Sequence, residues 1–163
     1  MNQPAAPRPE TARMTAELDG DFVVFLIGMQ INRPWRVQAW LPVLLAMPRM
    51  LRELQEQPQL GCLASWNTGF TVVQYWRSTE HLMAYARARD HQHLPAWQAF
   101  NRRARRAAGD VGIWHETFRV QAGAYETVYV GTGPRGLGRA GNLHPATHGR
   151  ATAEGRLRGA PTS

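Results

Sequence analysis

Two adjacent titratable residues, His115 and Glu116, stand in a run with the alternation of a β-strand. Neighbouring residues of a strand point to opposite faces, so these two side chains cannot act in the same cavity. Glu116 shares its face with Trp114 and Phe118, where removal from water would suit a general acid or base. We therefore predict that Glu116 is a candidate catalytic residue.

Each of these two residues also has a structural interpretation. Glu116 could instead form an ion pair with Arg119 or Arg102. His115 shares its face with Thr117, and it is a second catalytic candidate, as a base or hydrogen-bond donor, if that face lines a pocket. It could equally be a structural histidine that faces a helix.

A third catalytic candidate, His93, lies in a predicted helix. His93, Trp97 and Phe100 follow the spacing i, i+4, i+7 and form one stripe that could meet a ligand. The alternative is that the stripe packs in a core. His91 and His93 are about 200° apart around a helix, which makes them a poor chelating pair. We predict no metal site.

Large aromatic residues cluster in the predicted strands and in the same helix. Together they could provide an aromatic wall for a flat apolar or aromatic molecule. These candidate substrate-binding residues are Tyr75, Trp76, Trp66 and Trp97. The alternative is that aromatic residues occur there because they pack well in strands.

The first two elements follow from hydrophobic patterning. The run at 21–29 is apolar at nearly every position and predicts a strand that is covered on both faces. Apolar residues at helical spacing predict a helix over 34–57. Because proline lacks a backbone donor, Pro42 and Pro48 predict a break near Trp40 and a kink further along.

Two further strands, 60–66 and 70–76, are joined by a short glycine-containing connection and predict an antiparallel hairpin. Ser78 is the predicted N-cap of the next helix, and Asp90 is the predicted N-cap of the helix after it.

Strands over 112–121 and 124–130 complete the predicted element order. That order is β-α-β-β-α-β with an extra C-terminal strand, and it predicts an α+β fold with a ferredoxin-like core. We expect residues 1–14 to be a flexible leader and 15–131 to form the domain. Residues 132–163, rich in Gly, Pro and Arg, are expected to be an extended arm or tail.

The predicted sheet has apolar residues on both faces. The strand at 21–29 has no polar face, and the strand at 112–121 has one apolar face. Helices on one side of a sheet cannot cover the other side, so we expect a homodimer in which two sheets pack face to face as a dimeric α/β barrel. The alternative is that the C-terminal arm covers the second face.

Composition restricts the remaining function classes. The 19 basic residues are all arginine, and they give a net charge of +7. The cluster at 102–106 lacks any nucleic-acid recognition motif, so we expect no nucleic-acid partner. Cys62 is the single cysteine and has no disulfide partner within the chain. No membrane span or signal peptide is recognisable, so we expect a cytoplasmic protein with no membrane partner.

Several stretches resemble a known superfamily. The strand VQYWRS at 73–78 and the helix after it resemble the antibiotic biosynthesis monooxygenases. The stretches at 14–35, 89–103 and 109–118 resemble more closely a bacterial and fungal monooxygenase family related to a small monooxygenase of fumagillin biosynthesis. The resemblance covers about residues 13–143.

The resemblance implies a dimeric α+β barrel. It implies a small monooxygenase-like enzyme that acts on an apolar or aromatic metabolite, and we expect no cofactor, since the superfamily includes cofactor-free oxygenases. It also includes haem-degrading enzymes and proteins without known activity. Where the haem-degrading branch has an iron-binding histidine, this sequence has Trp97. A non-catalytic small-molecule-binding protein and a haem-binding protein remain alternatives.

Overall fold

The computed structural model describes residues 12–87 and 95–158, which form two compact units. Of the described residues, 22–87 and 95–119 belong to the larger unit, and 12–21 and 120–158 belong to the smaller one. In chain order the described elements are β1 (Met14–Glu17), β2 (Phe22–Ile31), α1 (Val37–Glu56), β3 (Cys62–Thr68), β4 (Thr71–Trp76), α2 (Thr79–Arg87), α3 (Pro95–Arg106), β5 (Val111–Val120), α4 (Leu137–Ala140), β6 (Asn142–Pro145) and α5 (Ala153–Leu157), with 3₁₀ turns at Pro58–Leu60 and His148–Arg150.

The larger unit is built on a four-stranded sheet in the order β3-β4-β2-β5. β4 pairs antiparallel with both β3 and β2. This arrangement confirms the α+β class and is compatible with the predicted ferredoxin-like core. β3 and β5 are the edges of the sheet, so the described strands do not close into a barrel.

The core of the larger unit lies between the sheet and the helices. Alternate residues of β2, among them Val23, Ile27 and Met29, are buried on the helix side. α1 contributes Met47 and Met50 to the same core, and each is 1% exposed. The amphipathic spacing of α1 therefore determines which face of the helix packs against the sheet.

α1 runs without a break from Val37 to Glu56, with Pro42 and Pro48 inside it. The predicted interruption near Trp40 is therefore absent. Both prolines lie on the exposed side of the helix, so water can satisfy the carbonyl groups that they leave without a helical donor. Burial of the opposite side compensates for the two missing hydrogen bonds.

The hairpin partner predicted over 124–130 is not a strand. In this segment Tyr129 forms an isolated bridge with Met14, and the Thr127 hydroxyl accepts a hydrogen bond from the Ala16 amide at 2.7 Å. A further antiparallel pairing joins β1 and β6 in a separate two-stranded sheet. The extra C-terminal strand predicted at 124–130 is therefore absent, and β6 lies outside the predicted range.

Residues after 132 contain short helices and a strand where the sequence predicts an extended arm. Charge pairs hold them within the smaller unit. Arg150 binds both carboxylate oxygens of Glu17, and the buried Arg156 binds Glu126. Guanidinium groups that reach carboxylates can order a segment that has little apolar surface to bury.

Among the described helices, none combines the length and the apolar character that a membrane crossing requires.

We expect Glu17→Gln to remove an acid-sensitive part of the stability. The Arg150 hydrogen bond lowers the pKa of Glu17 below its usual value of 4.5. A depressed carboxylate pKa stabilises the fold above the unfolded-state pKa, and this contribution is lost as the pH falls through the folded-state pKa. Because the pair is partly exposed, the loss at neutral pH should be about 0.5–1 kcal/mol.

Urea unfolding at several pH values between about 3 and about 7, a range that includes the titration of carboxylates, measures this effect. Glu154→Gln is the matched control, because the Glu154–Arg158 pair is largely exposed. An equal loss of stability in the two variants would contradict the role of Glu17.

Candidate functional site

An open cavity of about 600 Å³ lies between the sheet and helices α2 and α3. We call it the sheet–helix cavity. Its sheet side is formed by Phe25, Ile27, Val111, Ile113, His115 and Thr117. Its helix side includes Leu82, Met83, Ala86, Phe100, Asn101, Ala104 and Arg105. Volumes of about 300–1,000 Å³ are usual for sites that bind small molecules.

The alternation of β5 places His115 in this cavity. Ile113, His115 and Thr117 point toward the helices, while the residues between them point away. The imidazole ring lies against Phe25, with ring centroids 5.6 Å apart and planes tilted by 37°. Contact with a ring on the neighbouring strand restricts the orientation of the imidazole.

Among the described lining residues, only a few polar groups interrupt the apolar surface. His115 and Thr117 come from the sheet, and Asn101 and Arg105 come from α3. An imidazole can accept a proton near neutral pH, and a guanidinium can stabilise negative charge that forms on a ligand. The cavity therefore offers a base and a cation beside a mainly apolar surface.

Glu116 points away from the sheet–helix cavity and is exposed. It forms no ion pair with any residue that the structure describes, so neither Arg119 nor Arg102 neutralises it. The larger unit does not supply the desolvation expected for Glu116. Its proposed catalytic role needs a cover over this side of the sheet.

The second side of the sheet, which we call the open face, is apolar, and none of the described helices of the larger unit covers it. Trp114 and Phe118 on β5 are 39% and 50% exposed. The Trp114 ring lies directly over Gly28 of β2, where an added Cβ would come within 2.4 Å of it. Gly28 thus allows an aromatic ring to lie flat on the sheet.

The predicted aromatic wall is divided between two sides of the sheet. Tyr75 and Trp66 lie on the open face, where the Tyr75 ring is 6.4 Å from that of Phe22. Trp76 is fully buried in the core, and its indole N–H donates to the Gln74 side chain at 2.9 Å. None of these three residues lines the sheet–helix cavity.

Two of the predicted site residues cannot be placed. His93 lies outside the described residues, as does the predicted N-cap Asp90. Trp97 belongs to α3, but its side chain is outside the described part of the structure. The roles predicted for His93 and Trp97 stay predictions.

Cys62 is not suited to nucleophilic chemistry. Burial raises the pKa of its thiol to about 12, so the thiol remains protonated near neutral pH. Among residues 12–87 and 95–158, no three His, Cys, Asp or Glu side chains come together as a metal site would require. His115 is therefore the group in the described cavity that is best suited to proton transfer.

Sequence reasoning missed most of the cavity lining. Phe25 and Ile27 belong to a strand that is apolar on both faces, so its pattern does not reveal which face meets a ligand. Asn101, Ala104 and Arg105 occupy one side of α3 at spacing i, i+3, i+4. That helical stripe, read together with the alternation of β5, is the signal that could have located the cavity.

Comparison with known proteins identifies relatives of this chain. A family model described as Monooxygenase af470-like matches residues 22–137. The protein named Monooxygenase af470 of Aspergillus fumigatus is 32% identical over 136 residues, which is 74% of this chain and 46% of the relative. The chain thus spans about half the length of this relative.

Filling the sheet–helix cavity should weaken binding of an apolar probe. Ala86 lines the cavity, whereas Ala84 is exposed on the same helix and does not line it. We expect Ala86→Trp to weaken binding of N-phenyl-1-naphthylamine by about tenfold or more, because the indole occupies the space of the probe. Fluorescence titration measures the affinity.

Ala84→Trp is the control and should change this affinity less than about twofold. Unchanged binding in Ala86→Trp would show that the probe binds elsewhere, for example on the open face.

Proposed function

The chain belongs to the monooxygenase af470-like family, and from this premise we propose that it is a small monooxygenase-like enzyme. Its substrate is an apolar or aromatic metabolite that binds in the sheet–helix cavity beside His115. The observation that carries this proposal is the imidazole of His115, which lies among apolar side chains in a cavity of about 600 Å³ and is the one imidazole among the described lining residues. Such a lining favours a flat organic molecule with few polar groups.

The proposed reaction begins with proton transfer to His115. A phenol or an activated CH₂ group that loses a proton becomes an electron-rich anion, and the guanidinium of Arg105 stabilises this charge. Both residues line the cavity. His115 is therefore proposed as the proton acceptor, and Arg105 is proposed as a residue that binds the anion.

The substrate anion can then reduce molecular oxygen without a separate reductant. Oxygen adds to the deprotonated carbon to give a hydroperoxide, and loss of water leaves a carbonyl. The net change converts a CH₂ group and O₂ into C=O and H₂O, with all four electrons taken from the substrate. No cofactor is needed for this balance, and the chain's task is to bind, orient and deprotonate the substrate.

We also propose that a second copy of the chain covers the open face. The face carries Trp66, Tyr75, Trp114 and Phe118, and the last two are more than one third exposed. Apolar surface of this kind is commonly buried in an interface, and two-fold packing places the same patch on both copies. Such packing would give the dimeric barrel expected from the sequence, and it would desolvate Glu116.

Comparison of His115→Ala with Glu116→Gln tests on which side of the sheet the reaction takes place. With a panel of phenolic and polyketide compounds, we expect His115→Ala to lower kcat for oxygen uptake by about 10²-fold or more, because the proton acceptor is lost. Glu116→Gln should lower it much less, since Glu116 points away from the cavity. An oxygen electrode gives the rates, and product mass gives the added oxygen.

Loss of turnover in Glu116→Gln alone would place the reaction on the open face and contradict the assignment to His115. Binding of compounds without oxygen uptake would favour the non-catalytic small-molecule-binding protein. A Soret band that grows on titration with haemin would favour the haem-binding alternative.

Phe118→Glu should convert the proposed dimer into a monomer at micromolar concentration. A carboxylate on each copy would have to be buried at the interface, which costs several kcal/mol. Leu45→Glu is the matched control, because Leu45 is exposed on α1 rather than on the sheet. Sedimentation velocity measures the mass, and a monomer in the unmutated chain would overturn the dimer.

A further inference from the structure

A second cavity lies against α3, on the side opposite the sheet–helix cavity. It has a volume of about 380 Å³ and is formed by the beginning of α1 and the end of α3. Arg103, Arg106 and Ala107 line it, while Asn101, Ala104 and Arg105 line the other cavity. The two sets lie on different sides of the helix because of their spacing.

This second cavity is strongly basic. Arg36, Arg103 and Arg106 line it, and Asp110 is the one acidic residue among the described residues of its lining. The Asp110 carboxylate is already bound by two arginines, with Arg33 at 3.0 Å and Arg36 at 3.4 Å. Arg33 and Arg36 therefore already neutralise the negative charge of Asp110, and Asp110 does not require Arg103 or Arg106 as a partner.

Arg103 and Arg106 form no ion pair with any residue in the described ranges. Guanidinium groups that share one cavity repel each other, and an oxyanion between them removes that cost. Planar guanidinium forks match phosphate and carboxylate oxygens, and the Gln38 side chain in the same lining can donate as well.

The beginning of α1 adds to this positive potential. The first turn of α1 contains no acidic residue, and its N-cap, Arg36, makes no side-chain capping hydrogen bond. The partial positive charge of the helix dipole is therefore not neutralised by a local carboxylate. It acts in the same direction as the arginines that form the cavity.

We propose that this second cavity binds the phosphate or pyrophosphate group of a small molecule. Arg103 and Arg106, beside the ion pair of Arg36 with Asp110, provide positive charge around a volume of about 380 Å³, which is space for more than one phosphoryl group. The arginine run at 102–106 is divided between two cavities, so it does not form the continuous basic strip that nucleic acid would require. This site is separate from the proposed oxygenase chemistry.

Calorimetric titration of the full chain with sodium pyrophosphate, at constant ionic strength, tests the site. We expect one pyrophosphate per chain, and we expect the double variant Arg103→Gln/Arg106→Gln to weaken binding by about tenfold or more. The control is Arg52→Gln/Arg102→Gln, which removes the same charge from two residues that line neither cavity. It should weaken binding less than about twofold.

Equal weakening in the two double variants would overturn the site, because binding would then depend on net charge alone. Absence of binding to the unmutated chain would overturn it as well. Binding of a single-stranded oligonucleotide that pyrophosphate does not displace would favour nucleic acid instead. In the unmutated chain, the NMR signals of the Arg103 and Arg106 Nε–H groups should shift on addition of pyrophosphate, which tests the site even if the double variant is unstable.

Discussion

A sheet with apolar residues on both faces must be covered twice, and this requirement governs the larger unit. α1, α2 and α3 lie on one side, where Val72 and Trp76 of β4 are completely buried. On the open face, Trp114 and Phe118 keep a large fraction of their surface in water. Burial of such aromatic surface contributes strongly to association, so the same property that builds the core also favours an interface.

The site chemistry follows from two short-range periodicities. The period of two in β5 sends His115 into the sheet–helix cavity and Glu116 to the open face. The helical period of α3 sends Arg105 into the same cavity and Arg103 into the second one. β5 and α3 thus place a base and a cation in the same apolar cavity. Other charged side chains of these two elements, among them Glu116 and Arg103, lie on different surfaces.

The sequence predicts the parts that depend on local pattern. The run at 21–29 forms a strand, and the alternation of β5 correctly separates His115 from Glu116. The prediction of a strand over 124–130 is wrong. Residues of this segment bind partners that are distant in sequence instead of pairing with β5, and Thr127, for example, binds the backbone of Ala16 through its side chain. Which face of β5 meets the helices also depends on tertiary packing, so the sequence left the cavity side undetermined.

One side of the sheet faces the sheet–helix cavity, and we propose that the other side meets a second copy. Isotope-filtered NOE spectroscopy on a mixture of ¹³C-labelled and unlabelled chains tests which of the two sides meets the second copy, and so tests this assignment. We predict intermolecular NOEs to the side chains of Trp114 and Phe118, and none to Ile113 or His115. Intermolecular NOEs confined to Ile113 and His115, or none at all, would contradict it.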